Sequence, residues 1–138
     1  MVKFVVYGKP EPQGSMRAFV VKGRPIVTSS NKNLKSWRQE VAGAAAMALP
    51  NTEPWQGPIY AHVTFYFDRP KSVKSECKTT RPDLDKLLRG ILDALTGIIF
   101  NDDAQVIYCG VEKHYGSPAR AEISVKEVTH DEYSTYRP

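Results

Sequence analysis

The sequence predicts an α+β domain, a single mixed β-sheet packed by two main helices. Three observations predict it. Residues 59–67 alternate strictly between apolar and polar, the period of a half-buried strand. Residues 84–95 place six aliphatic residues at the 3.6-residue period of an amphipathic helix. Short β-rich segments flank both, and a sheet covered by helices buries every apolar stripe at once. With 138 residues, 41% hydrophobic and 25% charged, the chain has the makeup of one soluble domain with one core. Residues 1–128 are assigned to that domain and 129–138 to a polar tail.

Residues 2–7 are rich in β-formers and read as the first strand. The loop Gly8-Lys9-Pro10-Glu11-Pro12-Gln13-Gly14-Ser15 is too rich in proline and glycine for regular structure. Residues 17–21 and 25–28 flank Lys22-Gly23-Arg24, the pattern of a hairpin with a glycine turn. Ser29, Ser30 and Asn31 are N-cap candidates for a helix over 32–48, which Gly43 weakens and Pro50 ends. After a loop at 54–58 comes the strongest strand, 59–67. It has Ala61, Val63, Phe65 and Phe67 on one face and Tyr60, His62, Thr64 and Tyr66 on the other. A polar loop leads to the second helix, 84–95, with Leu84, Leu87, Leu88, Ile91, Leu92 and Leu95 as its stripe and Gly97 at its C-terminal stop. Strands at 106–113 and 121–128 enclose a turn at Tyr115-Gly116-Ser117-Pro118, and the tail is expected to fray.

Net charge is +4, and its distribution matters more than its sum. Between Arg69 and Arg81 stand five cations (Arg69, Lys71, Lys74, Lys78, Arg81) and one anion, Glu76. Such a run is either a solvated loop or a surface for a polyanion. No apolar run approaches the roughly 18 residues of a membrane span. The first apolar run is too short for a secretory signal, so a cytoplasmic location is the default expectation. Cys77 and Cys109 are then expected as free thiols. The three histidines form no ligand motif, and no Walker A, Rossmann or Gly-x-Ser-x-Gly pattern is present.

Directly after the basic run stands Arg81-Pro82-Asp83-Leu84-Asp85-Lys86-Leu87-Leu88-Arg89, and after the helix Asn101-Asp102-Asp103-Ala104-Gln105. Within a helix, residues two apart differ by about 200°. Asp83 and Asp85 can share a face only if Asp83 lies at the extended entry and Asp85 in the first turn, where the helix dipole favours negative charge. Asp85, Arg89 and Asp93 follow at i, i+4 and i+8. Taken alone they make a surface ladder worth about 0.3–0.5 kcal/mol per pair, and Asn-Asp-Asp taken alone makes a turn. Together the two clusters bring up to four carboxylates to one sheet edge. A hard divalent cation that prefers oxygen ligands is the usual reason to gather them. Arg89 would then project toward a phosphate.

At these residues the sequence resembles the RusA family of Holliday-junction resolvases. The resemblance rests on Arg-Pro-Asp-Leu-Asp-Lys-Leu at 81–87, Leu-Asp-Ala-Leu at 92–95 and Asn-Asp-Asp-Ala-Gln-Val at 101–106. It implies a small homodimeric endonuclease that uses Mg²⁺, or Mn²⁺ in its place, to resolve branched DNA by paired nicks in recombination and repair. The family's metal-binding catalytic aspartates fall on Asp83, Asp85 and Asp103, with Asp102 in support. Its catalytic lysine falls on Arg89, which keeps a phosphate-stabilising role but not a general-acid one. Its usual asparagine falls on Lys86, another cation for DNA. The basic loop and Arg17, with Lys22 and Arg24, would contact the DNA backbone. Metal would lower the pKa of water and neutralise the scissile phosphate. The competing expectations are a metal-dependent nuclease for flaps or other branches, and a nucleic-acid-binding module without catalysis.

Overall fold

The computed structural model describes the backbone at residues 1–14, 16–29 and 31–136, and the side chains of these except 16–19, 27–29 and 136. Four strands form the main sheet: β1 (Val2–Tyr7), β4 (Ile59–Phe67), β5 (Val106–Tyr115) and β6 (Arg120–Glu127). Their order is β1-β6-β4-β5. β6 pairs antiparallel with both β1 and β4, and β4 pairs parallel with β5. β2 (Met16–Val21) and β3 (Arg24–Ser29) form a separate hairpin around the Lys22-Gly23 turn, with φ +76° at the glycine. The side chain of Arg17 lies outside the described residues. Three helices complete the chain: α1 (Leu34–Ala48), α2 (Leu84–Leu95) and α3 (His130–Tyr136).

The alternation in β4 has its expected outcome. Ala61, Val63, Phe65 and Phe67 are buried while His62 is exposed. α2 covers the buried face with Leu87, Ile91 and Leu95, all fully buried, and α1 adds Trp37, Val41 and Ala45. Ile99 and Phe100, in the link from α2 to β5, close the core from below. Gly97 lies just past the α2 C-cap at φ +84°, a left-handed turn that glycine takes without steric penalty. Truncating a fully buried aromatic removes both transfer energy and packing. Phe65→Ala is therefore expected to destabilise the domain by about 3–5 kcal/mol, read from the midpoint of urea unfolding.

Three boundaries differ from the sequence expectation, each for a local reason. α1 begins at Leu34, two residues late, because Asn31 turns the chain just before it, its Oδ1 accepting from Asn33 N (3.0 Å). Its amide donates to Pro12 O (2.7 Å) and Glu11 Oε2 (3.2 Å), which ties the proline-rich loop to the helix entry. β5 runs on to Tyr115 because its parallel pairing with β4 continues to Phe67. The stretch expected to fray is α3. Thr129 Oγ1 accepts from Glu132 N (3.2 Å), and Glu132 Oε2 accepts from Thr129 N (2.8 Å), a capping box. Lys126 Nζ lies 2.6 Å from Glu132, and these contacts, the lysine first, pull the Glu132 carboxyl down to about 2. No helix among the described residues is long and apolar enough to cross a membrane.

Candidate active site

Because β4 and β5 run parallel, α2 must cross back over the sheet between them. Its N-terminus therefore starts at the Phe67–Tyr115 end, and its C-terminus leads to the start of β5. The two aspartate clusters hang on this crossover. Asp83 is the N-cap of α2 in extended conformation (φ −74°, ψ 145°), and Asp85 lies in the first turn, as the spacing requires. Asp85 Oδ2 accepts from Lys86 Nζ at 2.6 Å, and this hydrogen bond holds the Asp85 carboxyl below its ordinary range. Both side chains are more than half exposed, so water screens the pair and it stabilises the fold little.

Asp102 and Asp103 sit on a 3-10 turn, Asp103–Gln105, that directly precedes β5. Gln105 builds that turn. Its Oε1 accepts from the backbone N–H of Asn101 and Asp102, and its Nε2 donates to the carbonyls of Trp55 and Gly57 (2.9 Å each). Asp102 Oδ1 accepts from Ala104 N, completing the capping box. The carboxyl of Asp103 is pushed up. Desolvation is the largest cause, followed by the hydrogen bond and charge of Asp102 and by Asp93. Arg89 alone opposes the shift. Asp93 thus belongs to the acidic cluster and is not merely the far rung of a surface ladder. Its i, i+8 spacing from Asp85 was the available signal, but only the α2–β5 packing brings it within electrostatic reach of Asp103.

Asp102 neighbours Asp103 on the turn, and Asp93 and Arg89 on α2 lie within electrostatic reach of it. Asp85 stands one turn before Arg89 on the same stripe of α2. Asp83 points elsewhere, into a cleft between the proline-rich loop and the basic loop. The donor set is entirely carboxylate oxygen, with a surplus of negative charge around Asp103, so its chemistry fits a hard divalent cation. A three-ligand group is not preassembled. Among the described residues, no three His, Cys, Asp or Glu side chains are placed to hold a metal ion together.

The basic loop divides in two. Arg69, Lys71 and Lys74 are exposed and outside the cleft, while Lys78, Arg81 and Lys86 line it. Lys113 on β5, which the sequence reading passed over, pins the loop's end by donating to Thr80 O (2.7 Å) and Pro82 O (2.8 Å). Gln13 N donates to Lys86 O (2.9 Å) and fixes the opposite wall to α2. On the open face of the sheet, Glu112 accepts from both His62 and His114 at 3.0 Å, away from the aspartates.

A mixed sheet whose parallel crossover carries clustered carboxylates with cations beside them has the makeup of an enzyme that processes nucleic acid. Residues 8–126 match the family model described as endodeoxyribonuclease RusA. The chain belongs to the RusA endodeoxyribonuclease family. It is 34% identical over 140 residues to the uncharacterized protein YqaN of Bacillus subtilis (strain 168), covering 93% of this chain and 97% of that one. It is 33% identical over 73 residues to the crossover junction endodeoxyribonuclease RusA of Lactococcus phage r1t, covering 51% of this chain and 56% of that one.

Proposed function

We propose that this chain is a Mg²⁺-dependent resolvase of four-way DNA junctions, working as a homodimer that makes paired nicks. The observation that carries the reading is the pair Asp102 and Asp103 on the turn into β5, within electrostatic reach of Asp93 and Arg89 on α2. Gln105 fixes the backbone turn that carries them, and around Asp103 the charges of Asp102 and Asp93 are opposed by that of Arg89. Within the RusA family, such a centre suits a reaction at a phosphodiester. Asp85 and Asp103 would hold the cation, joined by Asp83 once its side chain turns out of the cleft, with Asp102 supporting the turn; Mn²⁺ has the same oxygen preference. When bound, the cation supplies Lewis acidity toward the phosphate and a more acidic water. Arg89 presents a planar fork to phosphate oxygens and stays charged throughout. A four-way junction offers two related strands, and a two-fold protein offers two identical sites.

Purified protein with Mg²⁺ should nick a labelled four-way junction at symmetric positions, and chelation should stop it. Linear duplex, single strand and flap of the same sequence should be cut at least tenfold more slowly. Equal cutting of linear duplex and junction would sink the assignment.

A further inference from the structure

The cleft that receives Asp83 is larger than a catalytic carboxylate needs. It is open to solvent and holds about 920 Å³, within the roughly 300–1,000 Å³ of small-molecule pockets. Its walls are the loops on either side of Lys9 and Lys78, and its floor at the sheet end includes Phe67 and Tyr115. Lys78 Nζ stands 4.9 Å from the Phe67 ring centre and 5.6 Å from that of Tyr115, and donates to Thr80 Oγ1 at 3.0 Å. The ring faces and the hydroxyl hold the ammonium in place without neutralising it.

Charge within the cleft is separated. Asp83 and Lys86 stand at the α2 end. Of the other acids, Glu11 accepts from Asn31, and Asp68 is exposed at the rim. The corner at Lys78 is different. Lys78 and Lys113 both donate to Thr80, and Lys9 lines the same cleft, so three ammonium groups gather about this corner. Burial lowers the Lys78 pKa first, and the charges of Lys113 and Lys9 lower it further. Among the described residues, Lys9, Lys78 and Lys113 make no salt bridge. Fixed like charges around a concave space form a seat for an anion. The exposed Arg69, Lys71 and Lys74, outside the cleft, are the surface on which a duplex would rest. A single nucleotide with its phosphate fits inside.

We infer that this cleft binds one unpaired nucleotide of the substrate strand, with its phosphate between Lys9 and Lys78 and Asp83 at the far wall. The inference rests on the nuclease reading and narrows it. The chain would hold a strand that has left the duplex, as a branch point supplies. Lys9 and Arg81 would close over that nucleotide from opposite loops.

The test is binding without Mg²⁺, which separates it from any question of nicking. The full-length protein is titrated with fluorescent oligothymidylate and with linear duplex across a salt series. Lys9→Met with Lys78→Met should weaken oligothymidylate binding at least tenfold at low salt. The salt slope should fall by about 0.7 for the single phosphate contact that the two lysines share. Duplex binding should change less than threefold. The single variant Lys9→Met, at an exposed position, should show the same selectivity in part. Equal losses for duplex and single strand, or none for either, would overturn the assignment, provided thermal melting shows the variants folded. A chain that failed to nick junctions yet passed this test would keep the cleft and lose only the catalytic reading.

Discussion

Asp103→Asn is expected to lower junction nicking by about 10³-fold while junction binding persists or tightens. Asparagine keeps the size and one acceptor oxygen but removes the charge that phosphate chemistry needs at this point. The same substitution removes a negative charge facing DNA, hence the unchanged or improved binding. Stability should move the other way from activity. Desolvation, Asp102 and Asp93 raise the pKa of Asp103 in the folded chain, so the ionised form is penalised there relative to the unfolded chain. That penalty is complete above the folded pKa and vanishes below the unfolded one. Asp103 is largely exposed, so water screens most of it, and the variant should melt only about 1 °C higher at neutral pH. The gain should disappear as the pH falls toward the ordinary carboxylate range. Asp85→Asn should lose nicking as well without this stabilisation, because the Asp85 carboxyl is held low by Lys86 and is not under strain. Gel assays of nicking, filter binding and melting curves at two pH values check all three outcomes. A variant that nicked normally would remove Asp103 from the reaction.

Such opposite movements of activity and stability are what a centre of mutually repelling carboxylates predicts. They also bear on how legible the site was. α2 was readable to the residue, because its leucine period, its aspartate entry and Gly97 all agree. β4 was readable because its two faces differ in chemistry along all nine residues. α3 was missed although Thr129-His130-Asp131-Glu132 carries the capping signature, because its composition is polar and the apolar stripe that usually marks a helix is absent. The aspartate types and spacing were legible, while their grouping was not. Asp83 and Asp85 are neighbours in sequence, yet the turn from extended N-cap to first helical turn leaves Asp83 lining the cleft and Asp85 outside it, bonded to Lys86. Asp93 and Asp103 are ten residues apart and influence each other only because the crossover folds α2 onto the start of β5. Lys9 and Lys113 lie far outside the basic run, and only tertiary structure brings them to Lys78.

Arg89 is the residue at which charge, geometry and pH can be separated experimentally. Its guanidinium lowers the Asp103 pKa, against desolvation and the charges of Asp102 and Asp93. Arg89→Ala leaves the raising causes unopposed, so Asp103 should ionise at higher pH than in the parent. If nicking requires ionised Asp103, the acidic limb of the pH–rate profile must move to higher pH, and the rate on its plateau should fall by about 10²-fold for the lost phosphate partner. Arg89→Lys tests the two effects apart. Lysine restores a positive charge at the same turn of α2, so the acidic limb should return toward the parent position. It restores a compact donor in place of a planar fork, so the plateau should recover only in part. A surface ladder residue would behave differently: Arg89→Ala would then lose a few tenths of a kcal/mol of stability and leave the profile where it was. A limb that stayed fixed while the plateau fell would place Arg89 on the phosphate alone. Movement of both ties it to the acidic centre as well, which is the outcome expected from its position between Asp85 and Asp93 on α2.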